Sequence, residues 1–155
     1  MKKLICIVAI AVCGIFSSHA QNFRAEASAA LPIGDAGDFY SFGLNVDLTY
    51  LIEFDESFLV GPTVGFKHYF GEEDFIDDAS FIPIGGSARY GVDEFWFGVD
   101  LGYGIGVDEG NDGGFWYEPF AMYDFGNIGV KLSYSGISND GFTFSALNLG
   151  VEFGW

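Results

Sequence analysis

The sequence predicts an all-β fold, an eight-stranded antiparallel up-and-down transmembrane barrel, and three observations predict it. First, the chain ends on a strict alternation. Leu147, Leu149, Val151, Phe153 and Trp155 hold one parity and Asn148, Gly150, Glu152 and Gly154 the other, which sets them on opposite faces of a strand. Second, the same apolar/polar period recurs in segments of about ten residues, the length of a membrane-crossing strand. Third, glycines and acids interrupt every apolar run beyond residue 20. No such window reaches the ~20 apolar residues of a spanning helix, so a chain of this kind enters a membrane as strands.

The front end reads as a leader. Lys2 and Lys3 precede an apolar run from Leu4 to Phe16, and Ser18-His19-Ala20 is a small-x-small cleavage site, so residues 1–20 are expected to be a signal peptide and residues 21–155 the barrel domain. Acylation at Cys13 is the weaker alternative, because bulky Val12 stands where a small residue is expected. Cys6 and Cys13 both lie in the leader. A small exported domain without disulfides needs another source of stability, and barrel closure supplies one.

Eight segments follow, each bounded by Gly, Asp, Asn or Pro. In the first, Phe23, Ala25, Ala27, Ala29 and Leu31 oppose Asn22, Arg24, Glu26 and Ser28. The second sets Phe42, Leu44, Val46, Leu48 and Tyr50 against Gly43, Asn45, Asp47 and Thr49, and the third Phe58, Val60, Pro62, Val64 and Phe66 against Gly61, Thr63, Gly65 and Lys67. The fourth is less regular, with Ile82, Ile84, Ala88 and Tyr90 against Pro83, Gly85, Ser87 and Arg89. In the fifth, Phe95 to Ile105 alternate with Trp96, Gly98, Asp100, Gly102 and Gly104. The sixth is ambiguous in parity. Tyr117, Pro119, Ala121 and Tyr123 are placed outward because Glu118, its one mid-strand charge, should not face lipid. The seventh sets Ile128, Val130, Leu132 and Tyr134 against Gly129, Lys131, Ser133 and Ser135, and the eighth runs from Leu147.

Connections alternate in length. Tight turns are expected at Glu53 to Glu56, Gly91 to Glu94 and Asp124 to Asn127. Mostly longer loops are expected on the other side, at Pro32 to Tyr40, Gly71 to Ser80, Val107 to Gly114 and Gly136 to Gly141. Short periplasmic turns and longer external loops are the outer-membrane pattern.

With strand count, parity and loop length together, the chain resembles the small eight-stranded outer-membrane barrels of the OmpA/OmpX type, the outer membrane protein β-barrel domain family. The resemblance covers residues 21–155 and rests on pattern plus the C-terminal aromatic signature, not on a family-specific motif. It implies the outer membrane of a Gram-negative bacterium, outer-membrane lipid as a partner, and recognition by the barrel-assembly machinery of Leu147, Leu149, Val151, Phe153 and Trp155. It fixes no biochemical activity.

The parity map gathers the charges. The full chain holds 6 Lys and Arg against 22 Asp and Glu, a balance that argues against nucleic-acid or polyanion binding. Beyond the leader the bases are Arg24, Lys67, Arg89 and Lys131, and all fall inward beside Glu26, Asp47, Asp100, Glu118 and Glu152. These nine are expected to form a lumen charge network, either as structural filling or as a charged constriction in a narrow pore. Inward glycines such as Gly98, Gly102 and Gly150 either leave room for water or seat Trp96, Trp116 and Phe120. On this reading Gly102→Ser should be mild, whereas Leu101→Arg, on the lipid face, should be costly.

Catalysis has little material. His68 is the one histidine after the leader; its parity is outward, at belt level, and no serine lies within two residues. Neither cofactor nor catalytic residue is expected. Glu72, Glu73, Asp74, Asp77 and Asp78 form the densest acidic run and are weak candidates for Ca²⁺ or Mg²⁺. Solvated, self-repelling loops are the simpler account. The sequence thus points to a non-catalytic integral barrel with acidic external loops and a structural or surface-interaction role, its surface ligand unassigned. A narrow passive pore for small solutes or cations is the alternative, and a soluble lipocalin-like carrier the third.

Overall fold

The computed structural model describes residues 23–72 and 77–154. The expected leader, Glu73, Asp74 and Trp155 lie outside the described residues. β1 spans Phe23–Ile33 and is followed by a 3₁₀ turn at Gly34–Asp38. β2 runs in two pieces, Tyr40–Tyr50 and Ile52–Asp55. Then come β3 (Phe58–Gly71), β4 (Ala79–Val92), β5 (Phe95–Gly106), β6 (Gly114–Asp124), β7 (Ile128–Asn139) and β8 (Phe142–Gly154). Each strand pairs antiparallel with the next, both pieces of β2 pair with β3, and β1 pairs with β8 over Arg24↔Gly154 to Ile33↔Ser145. The result is a closed eight-stranded up-and-down barrel, which leaves no open sheet edge.

The break in β2 falls at Leu51, which is 3% exposed and keeps the inward parity of Asn45, Asp47 and Thr49. Facing it, β3 approaches closely. A Cβ on Gly61 would stand 1.7 Å from the Tyr50 carbonyl oxygen.

Three connections are tight, at 56–57, 93–94 and 125–127. Asp55 and Asp124 each accept the backbone N–H two residues on, at 2.7 Å, the short-range bond for which Asp is favoured in turns. At the opposite end the connections are 34–39, 72–78 and 107–113, with one departure from expectation. The proposed loop from Gly136 to Gly141 is mostly strand. Gly136 pairs with both Tyr117 and Ser145, and the hairpin closes on Asp140 and Gly141 alone, Gly141 at φ 94°. Gly136 reads as a turn glycine, but it is small because Tyr117 lies against it: a Cβ there would sit 2.3 Å from the ring. Accordingly β8 begins at Phe142 rather than Leu147. β4, which the sequence leaves irregular, alternates from Phe81, inward, through outward Gly86 to Val92, while Ala79, Ser80 and Phe81 at its start are all buried.

The barrel is apolar outside and polar within. Leu44, Val46, Leu101, Leu132 and Leu149 are all exposed, while Lys67, Arg89 and Glu118 are at most 2% exposed. Aromatic rings gather at both rims. Phe23–Tyr50, Phe54–Phe58 and Phe95–Tyr123–Phe125 lie at the tight-turn end; Phe42–Phe70 and Phe115–Tyr117–Tyr134 lie at the other. Phe95 and Tyr103 on β5 are eight residues apart, about 26 Å at ~3.3 Å per residue. A strand tilt of roughly 40° reduces this to about 20 Å, close to the ~25 Å apolar band of membrane barrels. No helix among the described residues is long and apolar enough to cross a membrane.

The expectation that Gly102→Ser is mild does not survive. A Cβ at Gly102 would fall 2.1 Å from the Ile84 carbonyl oxygen, because β4 and β5 approach backbone to backbone there. At outward Gly86, by contrast, the nearest atom would be 3.8 Å away. Gly86→Ala is therefore expected to be neutral or stabilising, by up to about 1 kcal/mol through the unfolded chain. Gly102→Ala should destabilise. Urea refolding titrations of the two variants check the contrast, and equal midpoints would refute the packing account.

Candidate functional site: a filled lumen beneath an acidic mouth

Period-two alternation sends one face of each strand into a space about wide enough for side chains alone, and the charged residues there pair across it. Nearest the tight turns, Arg89 Nη1 donates to both oxygens of Glu152 at 2.7 and 2.8 Å, its Nε donates to Ser87, and Arg24 Nε stands 3.9 Å from Glu152. Next, Lys131 donates to Glu26 at 2.7 Å and to Asp100 at 3.4 Å. Above this, Lys67 donates to Glu118 at 2.8 Å and lies 3.9 Å from Asp47; Ser133 and Trp116 also donate to Glu118. All nine residues of the expected network face the lumen, and every one takes part in an ion pair. Their partners come from different strands.

Aromatic rings pack against these cations. Arg89 and Lys131 stand 5.0 and 4.3 Å from the ring centre of Phe120, and Lys67 sits 5.7 Å from the Trp116 ring. Cations over ring faces gain about 2 kcal/mol or more when desolvated. Of the inward glycines, Gly98 and Gly43 seat side chains, whereas Gly102 meets the backbone of β4. A Cβ at Gly98 would meet Phe120 at 2.4 Å and one at Gly43 would meet Tyr69 at 2.5 Å.

Beyond the ions comes an amide layer in which Asn148 donates to Ser133 and Ser135 and accepts from Asn45. An aromatic plug then closes the end opposite the tight turns. Tyr69 and Phe144 are 4.4 Å apart, Phe81 and Phe144 5.4 Å, and Tyr40 and Phe144 5.0 Å, with Ile137 in the same cluster. Sequence reasoning missed this plug. Its signal was available, since Tyr69, Phe81 and Phe144 continue the inward parity of Lys67, Pro83 and Asn148.

Above the plug opens a cavity of about 570 Å³, floored by Tyr40, Phe81 and Phe144 and rimmed by Asp77, Asp78, Asp108, Glu109, Asp112 and Asp140. Of the weak metal candidates, Asp77 and Asp78 reach this rim, and Glu72 lies at the foot of the same loop. Among the described residues no three His, Cys, Asp or Glu side chains gather as a metal site.

His68 is outward as expected, beside the rings of Phe66 and Phe70, but it has partners that spacing along the chain conceals. Ser80 is its cross-strand neighbour, with Oγ 3.0 Å from His68 Nδ1, while Asp78 stands 3.4 Å from Nε2. Serine, histidine and aspartate in a row suggest a nucleophile relay. Acyl transfer, however, needs N–H donors free for a developing oxyanion. The Ser80 N–H is already donated to the Asp108 carboxylate, and Ser80 is 6% exposed. An anion beside the nucleophile would oppose such a transition state; what the contacts do is tie His68 on β3 to Ser80 on β4 and to Asp78 just before it.

No family model and no curated protein sequence matches the chain. Solved structures do match, and they share a fold. The crystal structure of Ail, the attachment invasion locus protein of Yersinia pestis, superposes with a TM-score of 0.57 at 17% identity, covering 86% of this chain and 97% of that one. Neisserial surface protein A gives 0.54 at 16% identity, covering 89% and 100%. The outer membrane enzyme PagL gives 0.55 at 15% identity, covering 85% and 99%.

Proposed function

We propose, from the premise that this chain has the fold of the small outer-membrane barrels, that it is a closed, integral barrel of a Gram-negative outer membrane with a structural or surface-interaction role. The observation that carries the reading is the occupied axis. Lys67, Arg89, Glu118 and Trp116 lie across it, each at most 2% exposed, and the Tyr69–Phe81–Phe144 plug caps them. A pore needs a continuous wet path. A soluble carrier needs apolar side chains inward, the reverse of the arrangement here. In planar bilayers the refolded protein is expected to give no discrete conductance steps. Reproducible steps, with ion selectivity altered by Lys67→Met, would replace this reading with the passive pore.

Outer-membrane lipid is the proposed partner of the apolar wall, and the barrel-assembly machinery the proposed reader of the last strand. Leu147, Leu149, Val151 and Phe153 form an exposed outward stripe on β8 that continues in sequence to Trp155. Changing Phe153 and Trp155 together to serine is expected to leave secretion intact and abolish insertion. Cell fractionation with unboiled-versus-boiled gel mobility measures this; a normal amount of heat-modifiable protein in outer membranes would refute it.

A further inference from the structure

We infer that the external mouth is a binding site for an organic cation, an amine or guanidine carried on an apolar or aromatic body. The inference rests on the surface-interaction reading and names the chemistry of its ligand. Three features of the cavity converge. Its size, about 570 Å³, falls in the range of roughly 300–1,000 Å³ typical of small-ligand pockets. Its floor is aromatic, with Tyr40, Phe81 and Phe144 packed into the plug beneath and Phe142, 43% exposed, at the side. Its rim is acidic, and no lysine, arginine or histidine is among its lining residues.

The fold itself cannot neutralise that rim. Among the described residues the four Lys and Arg are Arg24, Lys67, Arg89 and Lys131, and all four are committed to lumen carboxylates on the far side of the plug. Two rim acids have structural work, Asp108 holding the Ser80 N–H and Asp78 the Gly71 N–H. Glu109, Asp112 and Asp140 offer carboxylates that none of the hydrogen bonds or ion pairs among the described residues engages. The described residues bring no cation to this rim.

The floor decides which cation. A divalent ion held by protein draws on a cluster of converging carboxylates, and among the described residues no three His, Cys, Asp or Glu side chains gather. An organic cation gains from ring faces as well as from charge, and its apolar body can cover the plug.

Benzyltrimethylammonium is a suitable probe, titrated by calorimetry into the full barrel in zwitterionic nanodiscs. One saturable site is expected, weakened about tenfold when Glu109→Gln, Asp112→Asn and Asp140→Asn are combined, and weakened several-fold by Phe142→Ala. Added salt should loosen it. Gel heat-modifiability of each variant verifies folding. No binding, equal binding of neutral benzyl alcohol, or binding of Mg²⁺ alone would overturn the proposal. Failure here leaves the closed barrel standing, whereas channel conductance would overturn the closed barrel whatever the mouth binds.

Discussion

Lys67→Met is expected to destabilise the barrel by about 3–5 kcal/mol, the usual consequence of removing one partner from a buried ion pair. Lys67 is fully buried, and it neutralises Glu118 at 2.8 Å and Asp47 at 3.9 Å. The variant strands two carboxylates where Asp47 Oδ1 already lacks a hydrogen-bond partner. Neutralising loop residues Glu72, Glu73 and Asp74 should change little, because water and salt screen charges over about 8 Å. The origin of the effect can be isolated. Adding Glu118→Gln to Lys67→Met should recover part of the loss, since the penalty belongs to the abandoned anion rather than to the missing lysine. Urea refolding measures all three proteins; an unchanged midpoint in Lys67→Met would show that the lumen network contributes nothing to stability.

The second large effect is on the wall. Leu101→Arg places a guanidinium on the outward face of β5, where Leu101 is 46% exposed and lies between Phe95 and Tyr103. For a cation the cost is about 2–4 kcal/mol at the midplane of a bilayer and about 0–1 kcal/mol near the interfaces, and Leu101, two residues from Tyr103 and paired with Tyr117, should fall between these. Gly86→Ala, outward on the neighbouring strand and paired with Leu101, is the matched control. Refolding into lipid vesicles should separate the two variants by that margin, while in bulk detergent, whose surface deforms readily, the gap should shrink. Equal behaviour in vesicles would mean that this face does not meet lipid.

How much of this the sequence disclosed follows from the length scale of each feature. Face assignment depends on the next residue but one, so period-two parity placed all nine charged residues inward. Even β6 came out correctly from Glu118 alone. Partner choice depends on stagger between distant strands, and nothing local says that Lys131 meets Glu26, 105 residues away. The plug was hidden for another reason. Tyr69, Phe81 and Phe144 are apolar and lie near strand ends, where apolar residues read as wall or belt. Glycines misled twice. Gly136 looked like a turn and is a strand residue beneath Tyr117; Gly102 looked tolerant and is a point of backbone contact. In both, the missing methyl records a neighbour that linear spacing does not reveal.

Closure of the ring also sets an order of events. β1 is complete by Ile33, yet it must wait for β8 to pair with it along ten residues, Arg24 to Ile33. Until then Glu26 lacks Lys131, and Arg24 and Arg89 lack Glu152. Such long-range pairing makes folding slow, since the entropy of bringing the ends together is lost before any contact rewards it. An unclosed sheet would carry bare strand edges and uncompensated ions into hydrocarbon, where each unsatisfied group costs several kcal/mol. Joining the two ends pairs the last strand edges and supplies Glu26, Arg24 and Arg89 with their partners in one step.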